Sequence, residues 1–173
     1  MDNNTDLAPA AYQAFHQRQY SKAIELFQQR INELQHVDGK ETEIFLLKND
    51  MSVGMILAGE TQLALPLLEE SLTYFRSTEN PSKVAMTLAN IATAYEKEGN
   101  IKEAIGFYNQ ALANFPVFDD NDVKYFIHHN LSLLYLRRLK LNNAVLERFK
   151  ALDYKQHLTL VDKIIQFVIR VVR

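Results

Sequence analysis

The residue types that carry out chemistry are present in this chain, but not in the arrangements that catalysis or metal binding requires. His128 and His129 are its only adjacent histidines. On a helix, neighbouring side chains point about 100° apart, so these two cannot easily share one metal ion. Glu69 and Glu70 are adjacent in the same way and are typical of a solvated helix surface. The sequence has no cysteine, nucleophile elbow, phosphate-binding glycine loop or zinc-ligand spacing. We therefore expect no enzyme activity, no cofactor and no metal.

Three polar residues recur at a fixed interval. Asp50, Asn90 and Asn130 follow one another at 40-residue steps. An asparagine amide offers both a hydrogen-bond donor and an acceptor, which is what an extended peptide backbone requires of a partner. Two interpretations stay open at this point. The amides hold a bound backbone, or they form hydrogen bonds only within their own layer of helices.

The elements that would position these residues are clearest in residues 84–116, where the pattern predicts two helices joined by a tight turn. Gly99 and Asn100 end the first helix, because glycine adopts the left-handed conformation of a helix end at little cost. Pro116 follows the second helix. Ala92 and Ala104 let the two helices approach closely, and bulky residues at helical spacing fill the space around them.

This order of small and large positions resembles the tetratricopeptide repeat. All eight characteristic positions hold a compatible residue: Leu88, Ile91, Ala92, Tyr95, Ala104, Tyr108, Ala111 and Pro116. The resemblance implies a helical repeat protein. It does not indicate which partner is bound, because these positions serve packing.

The repeats are longer than is usual for this family. Ala23, Ala64, Ala104 and Ala144 are separated by 41, 40 and 40 residues, whereas the usual period is ~34. Repeats of this length resemble those of the kinesin light chain, the mitotic-spindle adaptor family and the bacterial Rap-type peptide receptors. Those receptors carry an added N-terminal domain for which this chain has no room. We therefore do not expect a phosphatase or transcriptional role.

The predicted fold is all-α. We expect one domain over residues 1–173, a tetratricopeptide-like right-handed superhelix of four helix-turn-helix repeats. The repeats are predicted at about 7–36, 41–77, 81–116 and 120–154, and a C-terminal capping helix at 155–172.

In such superhelices the first helices of successive repeats line a concave groove, and long-period relatives hold bound peptides with asparagines there. The resemblance therefore implies a protein-binding module, an adaptor or a chaperone, with a peptide or partner segment in the groove. The predicted groove residues are Asp50, Val53, Leu57, Met86, Asn90, Thr93, Lys97, Phe126, Asn130, Leu133 and Arg137. Their mixture of apolar, amide and basic groups suits an extended segment with apolar anchors and some acidic character.

Composition narrows the class of partner. Of 173 residues 47% are apolar and 23% charged, which is ordinary for a soluble globular protein. The net charge of −2 argues against a general binder of nucleic acid or anionic membranes. No apolar run approaches the ~20 residues that span a bilayer, and the N-terminus lacks a signal-peptide pattern. We therefore expect a cytoplasmic protein whose partner is a protein or peptide, with no nucleic acid and no membrane.

The C-terminal segment carries apolar residues on several helix faces, and a helix that is apolar all round is normally enclosed by protein. We therefore predict a two-fold homodimer through this helix, with an interface formed by Leu160, Ile164, Phe167, Val168 and Val171. The competing interpretation is that the segment folds back over the fourth repeat or into the groove. The alternative to the binding module is that the chain is a structural or oligomerising solenoid whose groove is unoccupied or filled by the chain's own tail.

Overall fold

The structure is a computed structural model that describes residues 7–115, 121–155, 158–159 and 162–163. Within these residues the chain forms helices and no strand, and it is the all-α helical repeat solenoid that the sequence predicts. The helices are α1 (Leu7–His16), α2 (Tyr20–Leu34), α3 (Glu41–Ala58), α4 (Thr61–Ser77), α5 (Pro81–Lys97), α6 (Ile101–Asn114), α7 (Asn121–Arg137) and α8 (Leu141–Tyr154).

The helices stack as consecutive hairpins. α1 packs against α2, α3 against α4, α5 against α6 and α7 against α8, and each second helix also packs on the first helix of the next hairpin. The first helices α3 and α5 contact one another directly. The first helices therefore form one layer of the stack and the second helices form the other.

Small residues set the spacing between the layers. Ala23, Ala64 and Ala104 are fully buried at equivalent positions of the second helices, and Ala92 is fully buried on α5. Leu88 and Tyr108 fill the space around this close approach and are also fully buried. The alanines thus permit close approach of the helix backbones, and the large side chains fill the space around it.

The turn within each hairpin uses one left-handed residue at the same register position. In the second and third hairpins this residue is Gly59 (φ 89°) or Gly99 (φ 80°), whereas in the first and fourth it is Arg18 (φ 59°) or Leu139 (φ 55°). The end hairpins therefore make the same turn with residues that adopt this conformation at a cost.

The start of the C-terminal segment is tied to α8. Thr159 and Asp162 form a reciprocal capping box, the arrangement found at helix N-termini. The Asp162 carboxylate also accepts a hydrogen bond from Lys155 and lies 3.5 Å from Arg148 of α8. Hydrogen bonds from Lys155 and Thr159 hold the pKa of Asp162 far below its usual value. The predicted dimer residues Leu160, Ile164, Phe167, Val168 and Val171 lie outside the described residues, as does most of the predicted capping helix.

No helix within the described ranges combines the length and the apolar character that crossing a membrane requires.

Candidate binding groove

The predicted groove residues lie on α3, α5 and α7, which are first helices of their hairpins. Leu57, Phe126 and Leu133 are apolar yet about 40% exposed, at 42%, 40% and 39%. Lys97 and Arg137 are exposed at the C-terminal ends of their helices. The remaining members are half-buried, namely Asp50, Val53, Met86, Asn90, Thr93 and Asn130. Most of these residues lie in two regions with different chemistry.

The N-terminal region is an open cavity of about 410 Å³ between the first three hairpins. It brings together four predicted residues from two repeats: Asp50, Val53, Met86 and Asn90. The other lining residues come from α1, α2 and α3 and are Tyr12, Phe15, His16, Phe27 and Asn49. We call this space the N-terminal cavity.

Asp50 is the polar centre of the N-terminal cavity. The Tyr12 hydroxyl donates a hydrogen bond to Asp50 Oδ2, which links α1 to α3 across the groove. Burial raises the pKa of the Asp50 carboxyl, even though the hydrogen bonds from Tyr12 and Asn49 and the charge of Lys83 act in the opposite direction. Asp50 forms no ion pair within the described part of the chain.

Two amides of the N-terminal cavity have free hydrogen-bonding capacity. The Asn49 residue is only 3% exposed, and its Oδ1 has no hydrogen-bond partner. The half-buried amide of Asn90 has no partner among the described side chains or backbone groups. Unsatisfied buried acceptors are uncommon in folded proteins and call for an explanation.

The C-terminal region is organised by the hydroxyl of Tyr108, which reaches the groove from the second-helix layer. Asn130 Nδ2 donates to this hydroxyl over 2.9 Å, and Thr93 Oγ1 lies 3.0 Å from it. The hydroxyl in turn donates to Glu96 over 3.3 Å, and Glu96 lies 3.7 Å from Arg137. Burial raises the pKa of Tyr108. Asn130 is therefore bonded within the helix layers, the second of the two interpretations that its spacing allowed.

The adjacent histidines are held separately. His128 is buried between α7 and α8, where its Nδ1 lies 2.6 Å from Glu147 and its ring stacks on Tyr154. Burial alone would raise the pKa of Glu147, but hydrogen bonds from His128 and Lys150 outweigh it and lower that pKa. His129 instead accepts a hydrogen bond from Arg148, and burial and this positive charge lower the pKa of His129. The described residues contain no group of three or more His, Cys, Asp or Glu side chains placed to hold a metal.

Sequence reasoning missed several residues of the groove. Tyr12 and His16 lie 41 residues before Val53 and Leu57, so the repeat register would have found them if it had been extended to the first repeat. Tyr108 was identified only as a packing residue. Asn49 carries no periodic signal, since the register marks its neighbour Asp50 instead.

Comparisons with known proteins agree with the fold. Residues 46–116 match the family model of the tetratricopeptide repeat. The quorum sensor NprR from B. thuringiensis, in its apo form, superposes with a TM-score of 0.77 at 15% identity, over 95% of this chain and 47% of NprR. A putative kinesin light chain from Podospora anserina with nearly identical TPR-like repeats gives 0.72 at 16% identity, over 92% of this chain and 82% of that one.

The TPR2AB domain of yeast Sti1, in its complex with pHSP90, gives a TM-score of 0.54 at 14% identity, over 96% of this chain and 82% of the Sti1 chain. No curated protein sequence matches this chain. The family match and the helical stack agree with the spacing of small and large residues from which the repeats were identified. Residues 46–116 thus carry the tetratricopeptide repeat, and the helical stack that contains them is similar in fold to the repeats of the putative kinesin light chain and of the NprR receptor.

Proposed function

We propose that this protein binds an extended peptide, or an extended segment of a partner protein, along the groove formed by α1, α3, α5 and α7. The observation that carries the proposal is the free amide of Asn90, which lies in the wall of the N-terminal cavity. The TPR2AB domain of Sti1 was captured in a complex with a partner, which supports a general protein-binding role for this fold.

An asparagine at this place is suited to a backbone ligand. Its amide can donate to a peptide carbonyl and accept from a peptide N–H at the same time. Extended peptides gain affinity from such main-chain hydrogen bonds and specificity from pockets for alternate side chains. Met86 and Val53 supply apolar surface beside the amide.

The other end of the groove favours a different part of the ligand. Phe126 and Leu133 of α7 expose apolar surface. Lys97 is exposed and forms no ion pair within the described part of the chain, and Arg137 is 56% exposed with only a 3.7 Å contact to Glu96. Apolar anchors with an acidic group near the C-terminal end of the groove are therefore the expected features of a bound segment.

Peptide display against the full chain tests the proposal. A random library is selected on the wild-type protein, and the affinity of the recovered peptides is measured for Asn90→Ala. Asn109→Ala on the exposed surface of α6 is the matched control, because it makes the same change in mid-helix away from the groove. We expect Asn90→Ala to weaken binding at least about fivefold, the loss of one net hydrogen bond, and Asn109→Ala to have no effect. Peptides that bind both variants equally well would contradict the groove assignment.

A second candidate is a structural or oligomerising solenoid with an unoccupied groove. The internal bonds of Asn130 and Arg137 favour it, because these groups already have partners. Its test is light scattering on the full chain. A dimer at micromolar concentration would support the predicted C-terminal interface, and a monomer at high micromolar concentration would exclude it.

A further inference from the structure

We infer that the N-terminal cavity is a subsite for a cationic N–H donor group, a guanidinium or an ammonium, carried by a basic side chain or by the free amino terminus of the bound segment. The inference rests on the proposed groove function and adds to it the chemistry of one end of the ligand.

The polar atoms of the cavity that have no partner are mainly acceptors. Asp50 presents a carboxylate, the buried Asn49 Oδ1 has no partner, and the Asn90 amide adds a further oxygen. Of the donors, the Tyr12 hydroxyl and the Asn49 amide are already engaged by Asp50, and the Asn90 Nδ2 remains for a main-chain carbonyl of the bound segment. Guanidinium and ammonium groups consist only of donors, so they satisfy the remaining acceptors where a second carboxylate or a carbonyl cannot.

Asp50 has hydrogen-bond partners but no positively charged partner among the described residues. Buried charges are usually paired, because removing a charge from water is costly. The positive charge of Lys83 lowers the pKa of Asp50, yet no ion pair joins the two among the described residues. Lys83 Nζ is instead directed to Met86 Sδ, 3.9 Å away. An entering cation would supply the missing counter-charge.

The walls fit the rest of a basic side chain. Phe15, Phe27, Val53 and Met86 give the cavity an apolar lining. The aliphatic stem of arginine or lysine packs well on such a surface while its head reaches polar groups. The Tyr12 ring, packed edge-on to Phe27 with centroids 5.1 Å apart, adds an aromatic face that favours a cation. His16 is exposed at the rim, and its protonation would oppose the binding of a cation.

The volume of about 410 Å³ lies in the range of ligand pockets and is ample for one side chain. The cavity is thus large enough, acceptor-rich and apolar-walled, and its one carboxylate has no cationic partner. No single one of these features indicates a cation, but together they do.

The test is a nuclear magnetic resonance titration of the isotope-labelled full chain with small probes. N-acetyl-arginine N-methylamide supplies a guanidinium, glycine N-methylamide supplies a free amino terminus, and N-acetyl-citrulline N-methylamide is the uncharged isostere of the first. We expect saturable shifts in backbone amides around Asn49, Asp50 and Asn90 with the arginine or the glycine probe. We expect binding of the citrulline probe to be about tenfold weaker than that of the arginine probe if a side chain is the source. Preference for the glycine probe would identify the amino terminus as the source.

Asp50→Asn keeps the size of the side chain and an acceptor for Tyr12, so we expect it to fold and to lose the preference for cationic probes. Asp38→Asn, in an exposed turn, is the matched control and should keep it. Equal binding of charged and uncharged probes, no saturable shift with any probe, or a preference that survives Asp50→Asn would overturn the inference. The comparison of probes on the wild-type chain does not depend on any variant folding. Failure here leaves the groove function standing if display-selected peptides still depend on Asn90.

Discussion

The two ends of the groove use equivalent residues for different purposes. Asn90 and Asn130 occupy the same position in successive repeats, and both are half-buried. Asn90 faces an open cavity with a free amide, whereas Asn130 donates to the Tyr108 hydroxyl and is bonded within the fold. The same residue in the same register therefore has a free amide at one end and a hydrogen bond within the fold at the other.

The cause lies in the second-helix layer beneath the groove. Phe27, Leu68 and Tyr108 occupy equivalent positions, four residues after the small alanine of α2, α4 and α6. All three are buried and fill the same space between helices. Only Tyr108 carries a hydroxyl, so only the asparagine of the following repeat finds a partner there. A single oxygen atom on a packing residue thus decides whether the groove residue above it is free.

Removing that oxygen should have the largest effect on stability. Tyr108→Phe deletes the hydrogen bonds to Thr93, Asn130 and Glu96 and leaves the Asn130 amide unpaired. We expect the free energy of unfolding to fall by about 1–3 kcal/mol, measured by urea denaturation. Tyr95→Phe is the control, because the Tyr95 ring stacks on Phe107 and its hydroxyl has no hydrogen bond in the described part of the chain. Equal effects of the two variants would contradict the role of the Tyr108 hydroxyl.

Replacing each of the two asparagines by alanine should distinguish the two ends of the groove by a smaller difference in stability. Both changes gain the same helix propensity, so the difference between them reports the hydrogen bond to Tyr108. We expect Asn130→Ala to be less stable than Asn90→Ala by about 1 kcal/mol in chemical denaturation. If Asn90→Ala proves the less stable of the two, Asn90 has a structural partner in solution and the comparison fails.

The turn residues allow the fourth repeat to be stabilised without altering the groove. Leu139 is 84% exposed and left-handed, at the position that glycine occupies in the second and third hairpins. Leu139→Gly relieves this strain and should raise stability by about 0.5–1 kcal/mol, read from the thermal midpoint. Gly99→Ala makes the reverse change and should lower it. A decrease with Leu139→Gly would show that the leucine makes contacts that offset the strain.

The pH dependence of stability gives the smallest effect. Burial raises the pKa of Asp50. Between the pKa of the unfolded state and that of the folded state, the folded protein therefore keeps a proton that the unfolded chain has released. Stability from this group is therefore lost as pH rises from the ordinary aspartate pKa of about 4 through the raised value. We expect the unfolding free energy of the wild type to fall relative to that of Asp50→Asn as the pH rises over this range. His16 and Lys83 are present in both proteins and cancel in the difference. A difference that is flat with pH would contradict burial of the Asp50 charge.

Periodicity was sufficient to predict the helix pairs, because packing repeats with the backbone. Asp50, Asn90 and Asn130 were found by their spacing alone. Their different roles could not be predicted, since the deciding hydroxyl belongs to Tyr108, whose place in the pattern marks it as a packing residue. The unpaired oxygen of Asn49 could not be predicted either. Whether it has a hydrogen-bond partner depends on its neighbours from α1 and α5 in the folded structure, and residue spacing does not identify them.

The most direct test follows the side-chain amide resonances of the two asparagines while a display-selected peptide is added to the full chain. Asn90→Ala and Asn130→Ala assign the two signals. The signal of Asn90 should move in proportion to bound peptide, because its amide gains a partner, while that of Asn130 should stay near its free position with its bond to Tyr108 intact. An unmoved Asn90 signal at saturation, or a shift confined to Asn130, would contradict the account.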